Sequence, residues 1–286
     1  MINLASPAVI KEVMSRFSVA PLKQLGQNFL CDAHILSTIA DSARCEGQAV
    51  LEIGAGLGAL TQQLALRAKK VVTVEIDRGM IEVLKYTLAD FDNIEVCHGD
   101  ILKQDLYELH QKLGGGEFVV CANLPYYITT AVIMRLLESN LPCVRLCFLI
   151  QKEVAERMMA LPGRKSYGSL SIAVQYYTQV EIVASVPPSC FVPSPSVDSR
   201  VICLTRREPE VRPVDEATFF KLTRAAFAMR RKTLVNNLIV AGFGLSKAQA
   251  EELLARASLS PAVRGEALSL AEFARLSDEL CEMTRK

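Results

Sequence analysis

Hydrophobic positions along this chain gather into short apolar, often β-branched runs separated by stretches with helical spacing. Residues 49–53, 71–76, 93–97, 117–122 and 144–150 have the length and composition of buried strands. Between them, 60–68, 80–88 and 130–139 repeat apolar residues at helical intervals, and a helical piece over 154–159 follows the fifth strand. Upstream, 1–22 reads as an amphipathic helix ending in a turn at Pro21, and 24–30 as a loop rich in amides and glycine. Asp32 then suits the N-cap of a helix over 33–44. Strands alternating with helices in units of about 30 residues predict a parallel sheet with helices on both faces. After a proline-rich stretch over 187–195, a last strand is expected at 201–204. From residue 206 onward the pattern is helical, over 219–228, 233–240, 247–257 and 270–280. The expectation is an α/β domain over 1–206 and a small all-helical domain over 207–286, joined by a linker around 207–213.

Polar punctuation follows four of the predicted strands. The first runs into Gly54, Gly56 and Gly58, the second into Glu75, the third into Gly99-Asp100 and the fourth into Asn123-Leu124-Pro125-Tyr126. In an open parallel sheet these carboxyl ends share one edge, where ligands bind. Gly54-x-Gly56-x-x-Ala59, with Glu75 about 20 residues on, satisfies a dinucleotide fingerprint. Glu52-x-Gly54-x-Gly56-x-Gly58 equally has the form expected of a class I methyltransferase. On either reading the glycines admit a ligand close to the backbone, and Glu75 accepts hydrogen bonds from ribose hydroxyls. Asp100 and the Asn123–Tyr126 segment break the tie. A carboxylate at Asp100 can accept an adenine amino group, and the segment has no role in a typical nicotinamide site. S-adenosylmethionine is therefore favoured over NAD, and a class I (Rossmann-like) methyltransferase sheet over an oxidoreductase.

The chemistry of the fourth strand end suits adenine. Its exocyclic amine is a poor nucleophile because the lone pair is delocalised into the ring. Two hydrogen-bond acceptors beside the amine localise that pair and aim it at a sulfonium methyl group. The Asn123 side-chain oxygen can be one, and the Leu124 carbonyl, in a turn fixed by Pro125, the other. Tyr126 offers an aromatic face for the base, which must be single-stranded or turned out of its helix. No strong base is needed, because the nitrogen becomes acidic once alkylated. Phe191 either covers the other face of the base or is a core phenylalanine; its proline-rich setting does not decide.

Composition changes the picture little. The chain is 50% hydrophobic and 22% charged, with a formal net charge of +1, which fits a globular protein with a substantial core. No apolar run reaches the ~18–20 residues of a membrane span, and the N-terminus lacks the pattern of a secretory signal. Nine cysteines are scattered without metal or redox spacing, and the three histidines form no ligand group. Free thiols in a cytoplasmic protein without a metal are expected. Charge is uneven, however: between Arg200 and Lys232 nine basic residues face four acidic ones, and Arg230, Arg231 and Lys232 are consecutive. That run is either a phosphate-binding patch or an ordinary solvated helix face.

Taken with their neighbours, these motifs resemble the ribosomal RNA small-subunit adenine N6,N6-dimethyltransferases of bacteria over nearly the whole chain. The resemblance is carried by LGQNFL at 25–30, EIGAGLGALT at 52–61, VEID at 74–77, GD at 99–100 and ANLPYY at 122–127. It continues through IQKEV at 150–154, YGSLSI at 167–172, the PPSCF and VDS segments within 187–199 and AFAMRRKTLVNNL at 226–238. It implies two methyl transfers to N6 of each of two adjacent adenosines, in a hairpin near the 3′ end of the 16S RNA. By matching position it implies cofactor contacts from Asn28 and Leu30, with Gly54 at the methionine part, Glu75 at the ribose, Asp100 at the adenine and Asn123 at the reacting centre. Tyr126 and Phe191 would flank the target base, and Arg230, Arg231 and Lys232 would lie in the RNA-binding region. The implied partner is the small-subunit RNA or an immature 30S particle, met by a monomeric cytoplasmic enzyme without membrane or DNA contacts. Erythromycin-resistance enzymes of the large-subunit RNA share the methyltransferase motifs, but RRKTLVNNL and YGSLSI favour the small-subunit group. A ribosome-assembly factor with methylation as a secondary task is the other alternative.

Overall fold

The computed structural model describes residues 2–284. In chain order its elements begin with α1 (Pro7–Arg16), β1 (Phe29–Leu30), α2 (Ala33–Ala43), β2 (Ala49–Ile53), α3 (Ala59–Ala65), β3 (Lys70–Glu75) and α4 (Arg78–Thr87). They continue with β4 (Ile94–His98), α5 (Leu106–Lys112), β5 (Phe118–Asn123), α6 (Thr129–Leu137), β6 (Cys143–Gln151) and α7 (Lys152–Met159). Then follow α8 (Ser169–Tyr177), β7 (Thr178–Val186), β8 (Phe191–Val192), β9 (Ser199–Arg206), α9 (Glu216–Ala226), α10 (Leu234–Val240), α11 (Lys247–Arg256) and α12 (Leu270–Thr284).

The five strands expected from apolar runs all form, as β2 to β6, and pair in parallel in the order β4-β3-β2-β5-β6. Their interiors are continuous apolar runs because both faces are covered; Val50, Val71, Val72 and Val120 are fully buried. On one face α2 and α3 bring Ile39, Ala40, Ala43 and Leu64 against Val119, Cys121 and Cys147. The sheet is not wholly parallel, however. β9 runs antiparallel to β6, and β7 lies beyond it as the seventh strand. β7 is not among the expected strands: its Val180, Ile182, Val183 and Val186 are interleaved with polar residues, and only Thr178 and Val186 at its ends are buried, so it lacks the unbroken apolar run that marks the central strands. A second sheet of two strands pairs Phe29 with Val192 and Leu30 with Phe191.

Local chemistry sets the helix starts. Asp32 caps α2 by accepting from the Ile35 amide at 3.0 Å, and Asp77 caps α4 through Gly79. The amphipathic N-terminal segment is shorter than its pattern, with helix only over Pro7–Arg16. Pro7 starts it, and Ser18 at φ +52° turns the chain away after it. Its buried Ile10 and Val13 pack with Phe29, Leu57 and Met80.

Two compact units result: 1–155 with 179–206, and 156–178 with 207–286. The change of character at residue 206 coincides with a unit boundary. Residues 156–178, assigned from the sequence to the first domain, belong instead to the helical unit. The physical reason is aromatic packing: Tyr176 of α8 meets Phe219 and Phe220 of α9 with ring centroids 5.2 and 5.3 Å apart. Tyr167 is buried with its hydroxyl donating to the Leu268 carbonyl at 2.9 Å. All nine cysteines are free thiols, and no helix among the described residues is long and apolar enough to cross a membrane.

Candidate active site

Parallel pairing brings the ends of β2, β3, β4 and β5 to one edge, and a cavity there is lined by Gly54, Glu75, Asp100 and Asn123 together. Asn28, Leu30, Leu124 and Tyr126 line it too. The sheet edge, β1 and the loop before it thus bring all the residues expected at the cofactor to the lining of one cavity.

The loop after β2 turns on Gly54 and Gly56, at φ +77° and +55°. A side chain at either would be strained, and at Gly56 a Cβ would also press within 3.1 Å of the Phe29 ring. Glu75 at the end of β3 is nearly fully buried; its Oε2 accepts from the Gly56 amide at 2.8 Å and its Oε1 from the Asp77 amide at 2.9 Å. Burial pushes its pKa up, and these backbone bonds pull it back by favouring the charged form. Each oxygen keeps lone-pair capacity for a further donor. Asp100 accepts from the Leu102 amide at 2.9 Å, which shapes the loop after β4. Exposed Ile76 beside Glu75, and Ile101 beside Asp100, add apolar surface to this end of the cavity.

Asn123 ends β5. Its Nδ2 donates to the Asn28 main-chain carbonyl at 3.0 Å, which orients the amide and leaves its oxygen as the free acceptor. Leu124 is buried, and its carbonyl carries no hydrogen bond among the described residues. Both residues line the cavity, and neither acceptor has a donor among the described residues. Tyr126 is half-buried, with its hydroxyl 2.9 Å from Ser199 Oγ; burial raises its pKa and the Ser199 contact lowers it. Tyr127, 62% exposed, lines the same cavity.

Phe191 does not join this group. It is 4% exposed within the apolar cluster that holds Leu30, Leu36 and Val201, and it does not line the cavity. Of the two sequence readings the core phenylalanine describes its position here. The reason is its pairing with Leu30 in the two-stranded sheet, which turns the proline-rich segment into packing for the N-terminal loop.

Three residues at the site have no role in the sequence reading. Gln27 accepts from the Leu22 amide at 2.7 Å and donates to Asp77 at 2.8 Å, tying the N-terminal loop to the start of α4. Arg135 on α6 donates to the carbonyls of Leu102 and Gln104, gripping the loop that carries Asp100. Ser199 holds the Tyr126 hydroxyl. Gln27 and Ser199 fall inside motifs already quoted. Arg135 sits on an ordinary helix, and only the fold brings it to its partners.

In the helical unit, Arg230, Arg231 and Lys232 are exposed. They occupy the turn between α9 and α10 rather than a helix face, because α9 ends at Ala226. Buried Asn237 of α10 shapes the turn: its Oδ1 accepts from the Met229 amide, and its Nδ2 donates to the Ala226 and Met229 carbonyls.

A glycine loop, a buried ribose-type carboxylate and a paired-acceptor turn on one edge of a seven-stranded sheet define a class I methyltransferase. Residues 21–281 match the family described as Ribosomal RNA adenine dimethylase, and the chain belongs to it. It is 47% identical over 289 residues to "Ribosomal RNA small subunit methyltransferase A" of Geobacillus thermodenitrificans, covering 99% of both chains. Its identity to the protein of the same name from Bacillus licheniformis is 48% over 287 residues, or 98% of each. Among solved structures it is similar to a dimethyladenosine transferase from Plasmodium falciparum, with TM-score 0.70 and 29% identity over 90% of this chain and 97% of that one. The 23S rRNA methyltransferase ErmE matches with TM-score 0.67 and 26% identity over 89% of this chain and 100% of the other. S-adenosylmethionine-dependent methyl transfer is the chemistry of this family, and the chain is a methyltransferase.

Proposed function

We propose that this chain dimethylates N6 of two adjacent adenosines in a hairpin near the 3′ end of 16S ribosomal RNA, acting on an immature small subunit and contributing to its biogenesis. The observation that carries the reading is Asn123 in the cavity lining, whose amide nitrogen is engaged by the Asn28 carbonyl so that its oxygen remains available as an acceptor. Identity of 47% and 48% over nearly the full length to proteins named for the small subunit supports the choice of RNA over the large-subunit alternative.

In this reading Asn28 and Leu30 would contact S-adenosylmethionine, Gly54 would let its methionine part approach the backbone, Glu75 would accept from the ribose and Asp100 from the adenine amine. Ile76 and Ile101 would bracket the cofactor's ring. The cofactor supplies an electrophilic methyl group. The protein's own contribution is positional: Asn123 Oδ1 and the Leu124 carbonyl accept the two hydrogens of the target amine and favour its pyramidal form. Tyr126 stacks on the base. Removal of the proton after transfer needs no basic side chain, since the alkylated nitrogen is strongly acidic. The enzyme would act as a cytoplasmic monomer, with Arg230, Arg231 and Lys232 belonging to its RNA-binding region.

Methyl transfer onto unmethylated small subunits, with the modified nucleotides mapped by primer extension, tests the proposal. Label on two neighbouring 16S adenosines is expected. Label confined to large-subunit RNA or naked DNA would overturn it. An Asn123→Ala enzyme that retains assembly function without methylation would make binding the main role.

A further inference from the structure

The basic turn of the helical unit does not stand alone. Arg230 reaches across to the loop before α8, where its guanidinium donates to the Lys165 carbonyl at 2.7 Å. The same guanidinium lies 3.4 Å from Glu266 Oε2, and the Gly163 amide donates to the Glu266 carbonyl at 2.7 Å. Three stretches distant in sequence, 163–165, 229–232 and 266, thus meet through one arginine. Arg164 and Lys165 are both exposed, as are Arg231 and Lys232. None of these four has an ion-pair partner among the described residues, whereas Arg230 is committed to Glu266 and the Lys165 carbonyl.

We infer that Arg164 and Lys165 form, with Arg231 and Lys232, one composite surface for the phosphate backbone of RNA, and that Arg230 positions its two halves rather than binding phosphate itself. The inference rests on the reading of this enzyme as one that acts on ribosomal RNA. Its physical basis is the uneven use of the cations. An arginine whose guanidinium is already shared between a carboxylate and a main-chain carbonyl must give up those partners to turn to a phosphate, while four unpaired, solvated cations on adjoining loops release counterions when they meet one. A polyanion presenting phosphates in series is the partner that uses all four at once. Segment 156–178 belongs to the helical unit although its chain neighbours on either side belong to the sheet unit, and this excursion is what delivers the second pair of cations.

Binding of the full-length enzyme to unmethylated small subunits, measured over a series of salt concentrations, tests the assignment. For every phosphate that goes unneutralised, the magnitude of the log–log salt slope falls by about one. Arg164→Ala/Lys165→Ala is expected to weaken binding by about 10- to 100-fold and to reduce the slope by about two, as is Arg231→Ala/Lys232→Ala. Lys165 holds the fold through its main-chain carbonyl, so the first pair should keep the wild-type melting temperature; Arg164→Gln/Lys165→Gln provides a second version of the test. Lys247→Ala, which removes a cation already paired with Glu251, should change neither affinity nor slope. If the 231/232 pair weakens binding and the 164/165 pair does not, the composite surface is wrong and the turn acts alone. If neither pair alters binding while methylation of small subunits persists, the helical unit does not hold the phosphates and the inference fails without the proposed activity. If small subunits are neither bound nor methylated by the wild type, the activity itself is wrong.

Discussion

Asn123 donates its side-chain amide to the main-chain carbonyl of Asn28, a residue 95 positions earlier in the chain. One hydrogen bond therefore ties the end of β5 to the loop over the cofactor edge and decides which half of the Asn123 amide faces the cavity. Asn123→Ala removes the acceptor, and methyl transfer should fall by at least about 100-fold, the scale of losing one preorganised group at a reacting centre. Cofactor affinity should change by only a few-fold. Asn123→Asp should also be poor, because a carboxylate oxygen then faces the Asn28 carbonyl. Single-turnover methylation paired with calorimetric titration of S-adenosylmethionine separates the effects, and unimpaired turnover in the Ala variant would refute the clamp.

Tyr126 has two functions that substitution can separate. Phenylalanine removes only the hydroxyl's bond with Ser199 and should cost a few-fold in turnover. Alanine removes the ring, and with it about 1–3 kcal/mol of base stacking, or roughly 10- to 100-fold in RNA affinity at the site. Equal losses for both variants would show that the hydroxyl, and not the aromatic face, matters.

Arg135 bridges the helix after the clamp and the loop that carries Asp100. Arg135→Ala should loosen that loop and weaken S-adenosylmethionine binding by about tenfold or more, in line with the ~1.5–3 kcal/mol of a hydrogen bond from a charged group. Arg135→Lys should restore it only in part, since a single ammonium cannot span two carbonyls in the same fork. Wild-type cofactor affinity in the Ala variant would assign Arg135 no more than a surface role.

Glu52 lies fully buried beneath the glycine loop with the Thr61 and Thr73 hydroxyls as its polar neighbours, none of the three held in a well-aligned hydrogen bond. Burial pushes its pKa up to about 7; the neighbouring threonines oppose this and Glu75 adds to it. The folded state therefore holds this proton more tightly than the unfolded chain. The stability it confers is full below about pH 4.5 and is lost as pH rises through about 7. A shift of this size is worth on the order of 3 kcal/mol. Glu52→Gln should raise the melting temperature at pH 8 relative to the wild type and narrow the difference at pH 5. Parallel melting profiles across that range would contradict it.

The parallel sheet and the cofactor edge are legible in the sequence because buried strands leave unbroken apolar runs and their ends are punctuated. Gly54, Glu75, Asp100 and Asn123 fall on one edge from that pattern alone. β7 escapes that criterion because an edge strand covered only in part interleaves its Val180, Ile182 and Val186 with polar residues and leaves no unbroken run. Residues 156–178 go to the wrong domain because chain order says nothing of which unit Tyr176 packs against. Phe191 illustrates a different limit, since an aromatic in a stiff proline-rich segment suits a stacking surface and a core equally, and only its pairing with Leu30 distinguishes them here. Arg230 resembles its two neighbours in sequence; only the fold brings Glu266, 36 residues away, beside it.

The short pairing of β1 with β8 also bears on the order of events during synthesis. Cys31 hydrogen-bonds to the Cys190 carbonyl, a partner made 159 residues later. At ~5–20 residues per second that separation takes roughly ten to thirty seconds. For that interval the emerging chain has its glycine loop but no strand to hold the segment that covers it. The nascent protein should thus acquire a firm grip on its methyl donor only after the seven-stranded sheet is nearly complete, which keeps the reactive sulfonium away from a half-built active site.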